Sequence, residues 1–469
     1  MALASGQRSQ REWQYVTADG PELLLQPGYF ATAPVGVGDT INAIAGLAAS
    51  PVQIVLVVTS VSPITAVWQT AQGYNRSTLV LMGDSRLAGA FNDPSSKLLR
   101  HGANFLTHAL KLSGQRMKVE KSFAVSGQRS DQYLAEANVT AALACKSYWL
   151  MLYGVLNDIA QLGGATDYWN ATVRPVVERW LATGRGVILL TETGSGGLTT
   201  AAQKGAVFKY NRQIRDYARA NRNVILFDVA ALVMQPGAEM TINPAYSGDA
   251  THINLAAGAY AVGVKFADLI KQIAPPCDGL VYSVGQVPAN GGVQLFANPL
   301  FTATDGTAVG IMTGTKPTGI TAATGPAGSS IVSSVSAGAY GNDWQLAITA
   351  GAAGVVKVLS DFSNIEVVGE SYFANCEFDV TAGHSNFQSA AVRLEANRAG
   401  TTTATEDGFM TTANGNLPSG AYAFVSETEH LVVPSGTRGW FSVGAFFYFS
   451  AAGSVTVKMR RLGVPRVTQ

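Results

Sequence analysis

The strongest constraint on the fold is the stretch STLVLMGDSRLAGA at residues 77–90, where an apolar run stops abruptly at a serine. Residues 78–82 are apolar and partly β-branched, and this pattern predicts a strand buried on both faces of a parallel sheet. The run ends at Gly83, Asp84 and Ser85. Ser85 is therefore expected at the carboxyl end of a strand, the position at which open α/β sheets bind their ligands.

Strand-like and helix-like segments alternate from about residue 75 to residue 275. The predicted strands are residues 79–82, 119–125, 148–153, 187–191 and 224–228. The predicted helices are residues 97–112, 131–144, 172–182, 201–220 and 254–273. Strands that alternate with helices in this way are connected by right-handed crossovers. Residues 75–275 are therefore predicted to form an α/β domain of three layers, with a parallel sheet between two layers of helices.

The region before this domain has a different pattern. Residues 52–59 are a β-branched run approached by several glycines, which predicts a small β-rich domain over residues 1–74. The apolar stretch at 44–68 is long enough to suggest a membrane helix. Pro51, Pro63 and the many β-branched residues between them favour strands instead, so we expect no membrane insertion.

The region after about residue 275 contains no convincing amphipathic helix. Short alternating runs stand among Gly, Thr, Ser and Ala, at residues 344–349, 365–368, 391–394 and 454–459. The dipeptides Asn-Gly at 290–291 and Asp-Gly at 407–408 are hairpin-turn signals. Residues 276–469 are therefore predicted to form a β-sandwich of the jelly-roll type.

The composition excludes several classes of partner. Charged residues make up 13% of the chain and the formal net charge is +1. Such a chain offers no basic field for nucleic acid or an anionic membrane, and its uncharged polar surface suits neutral sugars. The cysteines at 145, 277 and 376 have no metal-ligand spacing, so free thiols and no metal site are expected. The first residues lack the apolar core of a secretory signal.

A serine hydroxyl that attacks an ester needs a base to accept its proton, and the base needs a group that orients it. Among the five histidines, His252 is distinguished by Asp249, which precedes it by three residues in the sequence GDATHIN. In a turn of this length the carboxylate reaches Nδ1 of the ring and leaves Nε2 for the serine. The spacing predicts Ser85, His252 and Asp249 as catalytic residues, against the alternative of a helix-capping aspartate beside a surface histidine.

Two further strand ends offer donors for an oxyanion. Gly127 follows the predicted strand 119–125, and a glycine there allows the main chain to turn and present its N–H group. Asn157 follows the predicted strand 148–153, and its amide is a neutral donor suited to an oxyanion. The alternatives are an ordinary turn glycine and a helix-capping asparagine.

Together these four stretches resemble the SGNH hydrolases, also called the GDSL esterase and lipase superfamily, over residues 77–275. The resemblance implies a flavodoxin-like fold and carboxylic ester hydrolysis without a metal or cofactor. It assigns Ser85 as the nucleophile, Asp249 and His252 as its partners, and the N–H of Ser85 with Gly127 and Asn157 as the oxyanion hole.

The chain departs from the family pattern at two places. Arg86 replaces the leucine of the first motif, and we expect it at a surface or at a helix start, with substrate contact as the alternative. The third motif has one extra residue between Gly154 and Asn157, which changes the reach expected of the asparagine.

The flanking regions carry resemblances of their own. The phrases QPGYF at 26–30 and VGDTI at 37–41 resemble an N-terminal module of bacteriophage structural and tail proteins. The alternative is an ordinary β extension packed on the next domain. The segments GWFSV at 439–443 and VTVKM at 455–459 resemble carbohydrate-binding modules, with a plain oligomerisation or capping sandwich as the alternative.

These features lead to one functional hypothesis. The chain is predicted to be a serine esterase that removes O-acetyl or similar small acyl groups from a bacterial surface polysaccharide. We expect the chain to be part of the virion, in a phage tail fibre or spike beside other tail proteins. We expect it to act outside the host cell. The resemblance to tail fibres implies a trimer, and no nucleic-acid partner is expected. The alternatives are a non-catalytic receptor-binding tail protein and a secreted cellular esterase. The aromatic residues near the third motif, Tyr153, Tyr168 and Trp169, are interpreted either as sugar-site or as core residues.

Overall fold

The computed structural model describes the backbone of strands at residues 40–45, 52–61 and 64–69, and then residues 74–89, 104–236, 240–274, 280, 294–305, 309–362, 365–408 and 416–467. The chain divides into two compact units, the first ending at Cys277 and the second beginning at Asp278. The tail-protein-like phrase at 26–30, most of the one at 37–41, and Cys277 lie outside the described residues.

The first unit is built on one sheet with helices between its parallel strands. Its strands are β1 Thr40–Ala45, β2 Val52–Val61, β3 Ile64–Gln69, β4 Asn75–Gly83, β5 Lys118–Ser122, β6 Ser147–Tyr153, β7 Gly186–Leu190 and β8 Val224–Phe227. Its helices are α1 Ser85–Ala88, α2 Phe105–Leu112, α3 Ser130–Tyr133, α4 Glu136–Leu143, α5 Leu156–Leu162, α6 Arg174–Leu181, α7 Ala201–Ala220, α8 Val229–Val233 and α9 Ala256–Ile273, with a π-helical segment Trp169–Val173 before α6.

The predicted parallel sheet is confirmed. Strand β4 pairs in parallel with β5 on one side and β6 on the other, and β7 and β8 continue from β6. The parallel order is therefore β5-β4-β6-β7-β8, so the chain reverses its direction of winding at β4. Ligand crevices of open sheets form at such a reversal, outside the carboxyl ends of the strands. Ser85 lies there, separated from the last residue of β4 only by Asp84.

Strands β1 to β3 extend this sheet with antiparallel pairs. β1 pairs with β2, β2 with β3, and Gln69 of β3 with Asn75 at the start of β4. The stretch 44–68 therefore contains strands, as its prolines and β-branched residues predicted. Among the described residues, no helix is both long and apolar enough to cross a membrane. A separate N-terminal domain over residues 1–74 stays a prediction.

The core of the first unit lies on both faces of the sheet. Leu79 and Leu81 of β4 belong to a cluster with residues of α2 and α9. Val80 and Met82 point the opposite way, into a cluster with residues of α4, α6 and α7. These four side chains are at most 1% exposed. Because successive strand residues face opposite sides, an uninterrupted apolar run is what a strand between two helix layers requires.

Several predicted elements differ in their limits. The helix predicted at 97–112 is described only from Phe105, after its cap Asn104, and residues 97–103 lie outside the described residues. β5 ends at Ser122 rather than at residue 125, although the N–H group of Val125 still donates to the carbonyl oxygen of Gly83 at 3.1 Å. The predicted helix 131–144 is divided at residues 134–135 into α3 and α4. In contrast, α7 has the limits that its periodicity predicted.

The glycine that ends β4 is required by close packing against β6. A Cβ at Gly83 would lie 2.2 Å from the carbonyl oxygen of Tyr153. We expect Gly83→Ala to lower the free energy of unfolding by about 1–3 kcal/mol, because two paired strands must separate to admit the methyl group. The matched control is Gly205→Ala on the exposed side of α7, where an added Cβ meets nothing within 4 Å. There the change is expected to stabilise by about 0.5–1 kcal/mol. Equilibrium unfolding in urea would check both values, and equal midpoints for the two variants would contradict the packing argument.

The second unit is rich in strands, as predicted, and its described residues contain no helix. Its strands are β9 Thr304–Asp305, β10 Met312–Gly314, β11 Lys316–Pro317, β12 Ala322–Thr324, β13 Ser330–Gly338, β14 Gly341–Ala350, β15 Gly354–Asp361, β16 Ser371–Tyr372, β17 Asn375–Val380, β18 Ser385–Arg398, β19 Thr401–Gly408, β20 Tyr422–Glu427, β21 Leu431–Val432 and β22 Arg438–Gly463.

One long strand joins most of this unit. The first half of β22 pairs with β15 and β18, and its second half pairs with β14 and β17. Two sequence predictions fail here. Residues 365–368 form no strand, and the Asp-Gly pair at 407–408 closes β19 rather than making a turn. The hairpin between β18 and β19 turns instead at Ala399 and Gly400, which have φ values of 49° and 80°. The Asn-Gly pair at 290–291 lies outside the described residues.

Candidate active site

Ser85 is the first residue of α1 and stands at the tip of β4. Asp84 caps this short helix, because its Oδ1 atom accepts the N–H group of Arg86 at 3.0 Å. The side chain of Asp84 is buried, whereas Ser85 is partly exposed. The strand-to-helix turn therefore buries the residues on either side of Ser85 and leaves the serine accessible.

The structure brings Ser85, His252 and Asp249 into one hydrogen-bonded chain. The distance between Ser85 Oγ and His252 Nε2 is 2.7 Å. The distance between His252 Nδ1 and Asp249 Oδ2 is also 2.7 Å. A ring nitrogen beside a carboxylate carries the proton, which leaves Nε2 as the acceptor of the serine hydroxyl. The arrangement is that of a nucleophile, a base and an orienting acid.

The carboxylate of Asp249 is itself held in place. Its Oδ1 atom accepts the N–H groups of His252 at 2.8 Å and Thr251 at 2.9 Å, and Oδ2 also accepts Asn254 Nδ2 at 3.1 Å. Partial burial acts to raise the pKa of Asp249, but the bonds from His252 and Thr251 outweigh it and lower the pKa. Asp249 is therefore ionised at neutral pH and orients the ring.

The turn that carries this pair has an unusual backbone. Ala250 adopts a positive φ of 59°, a conformation that residues with a side chain seldom take. Its carbonyl oxygen accepts the N–H group of Gly196 at 3.1 Å, and Thr251 Oγ1 lies 2.8 Å from Ser195 Oγ. Through these two contacts, the loop after β7 stabilises the left-handed turn at Ala250.

The loop that carries Gly127 and the helix α5 that carries Asn157 are joined by two hydrogen bonds. Gly127 has a φ of 79°, and its carbonyl oxygen accepts Gln161 Nε2 at 3.3 Å. Asn157 Nδ2 donates to the carbonyl oxygen of Gln128 at 2.9 Å, and its second N–H group has no partner among the described residues. Asn157 lies in the first turn of α5 despite the extra residue after Gly154. Its donation to an oxyanion stays a prediction.

Arg86 lies at a helix start, as one of the two expectations for it predicted, but it is buried rather than at the surface. Its guanidinium lies between the carboxylates of Asp84 and Glu192, at 2.7 Å and 2.5 Å, and these three side chains are at most 4% exposed. It also lies over the ring of Tyr153, 4.1 Å from the ring centre. Burial acts to lower the pKa of Arg86, but the two carboxylates outweigh it and raise the pKa well above its ordinary value. The alternative of direct substrate contact does not fit these buried partners.

Glu192 is a buried residue of the site that the sequence pattern does not predict. It follows the strand β7 and accepts the N–H group of Val155 at 2.6 Å with the atom Oε1. Burial acts to raise its pKa. The available signal was an acidic residue directly after an apolar strand, in the sequence ILLTETG. Its partner Arg86 is 106 residues away, so the pairing itself had no local signature.

Tyr153, Tyr168 and Trp169 are core residues, at most 4% exposed. Trp169 packs edge-on against Tyr217, and the hydroxyl of Tyr168 donates to the carbonyl oxygen of Asp158. Of the two interpretations of these aromatic residues, core packing is the one that fits. Within the described parts of the chain, no group of three or more His, Cys, Asp or Glu side chains is arranged to hold a metal ion.

Comparison with known proteins gives likenesses of structure only. No protein-family model matches the sequence, and no curated protein matches it. A putative lipolytic protein of the G-D-S-L family from Desulfitobacterium hafniense is 16% identical, with a TM-score of 0.32 over 41% of this chain and 99% of that protein. A lipolytic G-D-S-L family protein from Veillonella parvula is 17% identical, with a TM-score of 0.29 over 41% of this chain and 96% of that one.

The family 11 carbohydrate-binding module of a cellulosomal cellulase from Clostridium thermocellum is also similar. It is 10% identical, with a TM-score of 0.21 over 31% of this chain and 88% of that module. These likenesses are partial, and none of them identifies a reaction. The evidence for the chemistry of this chain lies in its own side chains.

Proposed function

We propose that this chain is a serine esterase. The observation that carries the proposal is the continuous chain of hydrogen bonds from Ser85 through His252 to Asp249, with 2.7 Å at each step. A protein that only binds a glycan has no need of an activated hydroxyl, a base and an oriented carboxylate at such distances. The serine also stands at the winding reversal of a parallel sheet, where ligands are bound.

The reaction follows from the positions of the atoms. Ser85 Oγ attacks the acyl carbon of the ester, and its proton passes to His252 Nε2. The tetrahedral intermediate collapses, the bond between the acyl carbon and the sugar oxygen breaks, and that oxygen takes the proton from Nε2. Water then attacks the acyl group on Ser85, gives a proton to Nε2, and releases the carboxylic acid as Ser85 regains its hydrogen. Asp249 holds the ring and stabilises its charged form throughout.

The substrate proposed is an acetyl or similarly small acyl ester on a bacterial surface polysaccharide. The side chains of His252 and Asp249 are 34% and 45% exposed, so the base is reached from solvent. A base that is accessible from solvent suits an ester displayed on a large polymer. An ester of a long acyl chain would instead need an apolar tunnel for that chain. The low charge of the chain, with 13% charged residues, suits a neutral sugar partner.

We extend the proposal to the setting predicted from the sequence. The chain would act on a phage virion, as part of a tail fibre or spike beside other tail proteins, and as a trimer. The support is the resemblance of residues 26–30 and 37–41 to tail-protein modules. Detection of the chain in purified virions by mass spectrometry, and its molar mass in solution by light scattering, would test these two points.

The esterase proposal is tested by acetate release. Purified protein is incubated with O-acetylated polysaccharides from candidate hosts and with 4-nitrophenyl acetate, an ester that makes few demands on specificity. Release of acetate from a polysaccharide supports the full proposal. Turnover of the aryl ester alone supports the esterase activity and contradicts the proposed polysaccharide substrate. A folded protein that is inactive on both would favour the alternative of a glycan-binding tail protein.

The oxyanion role of Asn157 has its own test. We expect Asn157→Ala to lower kcat by about 10²- to 10³-fold, the usual effect of removing one oxyanion donor. The control is Gln161→Ala, since Gln161 likewise donates to the loop around Gly127 but lies in a later turn of α5. Steady-state kinetics with 4-nitrophenyl acetate would separate the two. If both variants lose the same small amount of activity, Asn157 only supports the loop.

A further inference from the structure

The charged group beneath Ser85 has no place in the proton transfers of the proposed reaction. Asp84, Arg86 and Glu192 are almost wholly enclosed, with exposed side-chain fractions of 2%, 4% and 0%. Charged side chains in such surroundings are strongly destabilising unless each is paired. Hydrophobic residues at all three positions would fill the space without that difficulty, so the group calls for a reason other than stability.

Arg86 is paired on both sides in a way that depends on its shape. Nε and Nη2 donate to the two oxygens of Asp84 at 3.0 and 2.7 Å. Nη1 and Nη2 donate to the two oxygens of Glu192 at 2.5 and 3.1 Å. A planar guanidinium makes two such forked contacts at once, whereas the ammonium group of lysine cannot.

These contacts connect the ends of three neighbouring strands. Asp84 and Arg86 follow β4, and Glu192 follows β7. Glu192 Oε1 also accepts the N–H group of Val155, directly before α5. The backbone of Glu192 is fixed in turn, because its N–H donates to Asn211 Oδ1 at 2.7 Å and its carbonyl accepts Asn211 Nδ2 at 2.8 Å. The tips of β4, β6 and β7 are therefore tied to one guanidinium.

The contacts of Arg86 with Asp84 and Glu192 affect Ser85 through the two residues that flank it in the chain. Ser85 stands between Asp84 and Arg86, so its backbone is held on both sides by buried side chains. The segment that begins at Val155 leads to Asn157 in α5. A shift at position 86 would move the nucleophile and its N–H group relative to that segment, without unfolding the sheet.

We infer that Arg86 and Glu192 are positioning residues, which fix the backbone of Ser85 relative to the segment from Val155 to Asn157. This inference rests on the proposed esterase function and adds to it two residues that touch neither the ester nor the reacting atoms. Its consequence is that changes at these residues affect the rate of acyl transfer more than the binding of the substrate.

The experiment compares Arg86→Lys with a matched control, Arg185→Lys. Arg185 is likewise buried, at 0% exposure, and donates to the carbonyl oxygens of Cys145, Ser147 and Leu143. It directly precedes β7 and so lies at the opposite end of the sheet from Ser85. Three quantities are measured for each protein: kcat and KM with 4-nitrophenyl acetate, the rate at which a 4-nitrophenyl phosphonate labels Ser85, and the thermal midpoint.

We expect Arg86→Lys to lower both kcat and the labelling rate by about 10²-fold, the scale of a misplacement of about 1 Å, with KM little changed. Arg185→Lys is expected to lose thermal stability and keep wild-type kcat. If the two variants lose stability equally and both keep kcat, Arg86 is a structural residue and the inference is overturned. An inactive wild-type protein would instead overturn the proposed function, and the inference with it.

A second variant covers the case in which Arg86→Lys does not fold. Glu192→Gln keeps an oxygen that can accept the N–H group of Val155 and removes the charge that faces Arg86. We expect it to fold, to lower kcat and the labelling rate together, and to leave KM unchanged. A folded Glu192→Gln protein with wild-type kcat would overturn the inference.

Discussion

Replacing Ser85 with alanine is expected to lower kcat by about 10⁴- to 10⁶-fold, the usual effect of removing a member of a serine triad. The change deletes the Oγ atom that lies 2.7 Å from His252 Nε2 and forms the bond to the acyl carbon. It removes little else, because Ser85 is partly exposed and its hydroxyl makes only this hydrogen bond among the residues that the structure describes. The measurement is acetate release from the polysaccharide and from 4-nitrophenyl acetate, with the thermal midpoint of each protein as a check on folding.

A second serine supplies the control for this result. Ser113 follows α2, is 2% exposed, and donates its hydroxyl to the carbonyl oxygen of Leu110 at 2.8 Å. Ser113→Ala is expected to keep wild-type kcat. If Ser85→Ala retains activity while the protein is folded, another residue is the nucleophile. That outcome would remove the triad from the mechanism.

Replacing Asp249 with asparagine is expected to lower kcat at neutral pH by about 10⁴-fold, as the same change does in a serine protease triad. The hydrogen bond of 2.7 Å between Asp249 Oδ2 and His252 Nδ1 sets which ring nitrogen carries the proton. An amide at position 249 can donate to Nδ1 and so leave the proton on Nε2, where the base is needed. The measurement is kcat with 4-nitrophenyl acetate, and a loss of less than about tenfold would contradict an orienting role.

The control for this carboxylate is Asp167→Asn. Hydrogen bonds from Lys209, Asn170 and Gln213 outweigh partial burial and lower the pKa of Asp167 to about 2. Asp167 is therefore another ionised, well-bonded aspartate, but it contacts none of the three triad residues. This variant is expected to keep wild-type kcat. Equal losses of activity in both variants would contradict a specific role of Asp249, because Asp167 does not contact the triad.

The lowered pKa of Asp249 also gives a dependence of stability on pH. A carboxyl group whose pKa is lower in the folded state stabilises the fold at pH values above its ordinary pKa. That contribution is lost as the pH falls through the pKa of the folded state. The stability difference between wild type and Asp249→Asn is therefore expected to be greatest at neutral pH and to shrink in acid. Thermal midpoints of the two proteins at a series of pH values would check it.

Local pattern was enough to predict the scaffold of the first unit. The run at residues 78–82 predicted β4, and the spacing of Asp249 and His252 predicted a contact within one turn, where distance along the chain limits distance in space. Both signals are short-range. The division of the helix at 131–144 had no such signal, since the residues around the break are ordinary helix formers.

Contacts across the chain could not be predicted in the same way. The sequence predicted Arg86 at a surface or at a helix start, and it lies at a helix start. Its burial, however, depends on Glu192, 106 positions later. A buried charge is recognisable only once its partner is known. For the same reason the sequence predicts a donor role for Asn157 but not its contact with Gln128. The carbonyl oxygen of Gln128 accepts one of the two amide N–H groups of Asn157.

The long strand β22 gives the second unit a particular order of assembly. Its first half is flanked by β15 and β18, and its second half by β14 and β17, so 26 consecutive residues supply an inner strand to both halves of the sheet. The segments that precede it in the chain, β14 and β15 for example, have no partner on that side until residues 438–463 arrive. During synthesis the earlier strands of this unit must therefore wait for the segment made after them, with the backbone N–H and C=O groups of their open edges unpaired. A ribosome that stalls before Arg438 would release an unpaired, aggregation-prone sheet rather than a smaller stable one.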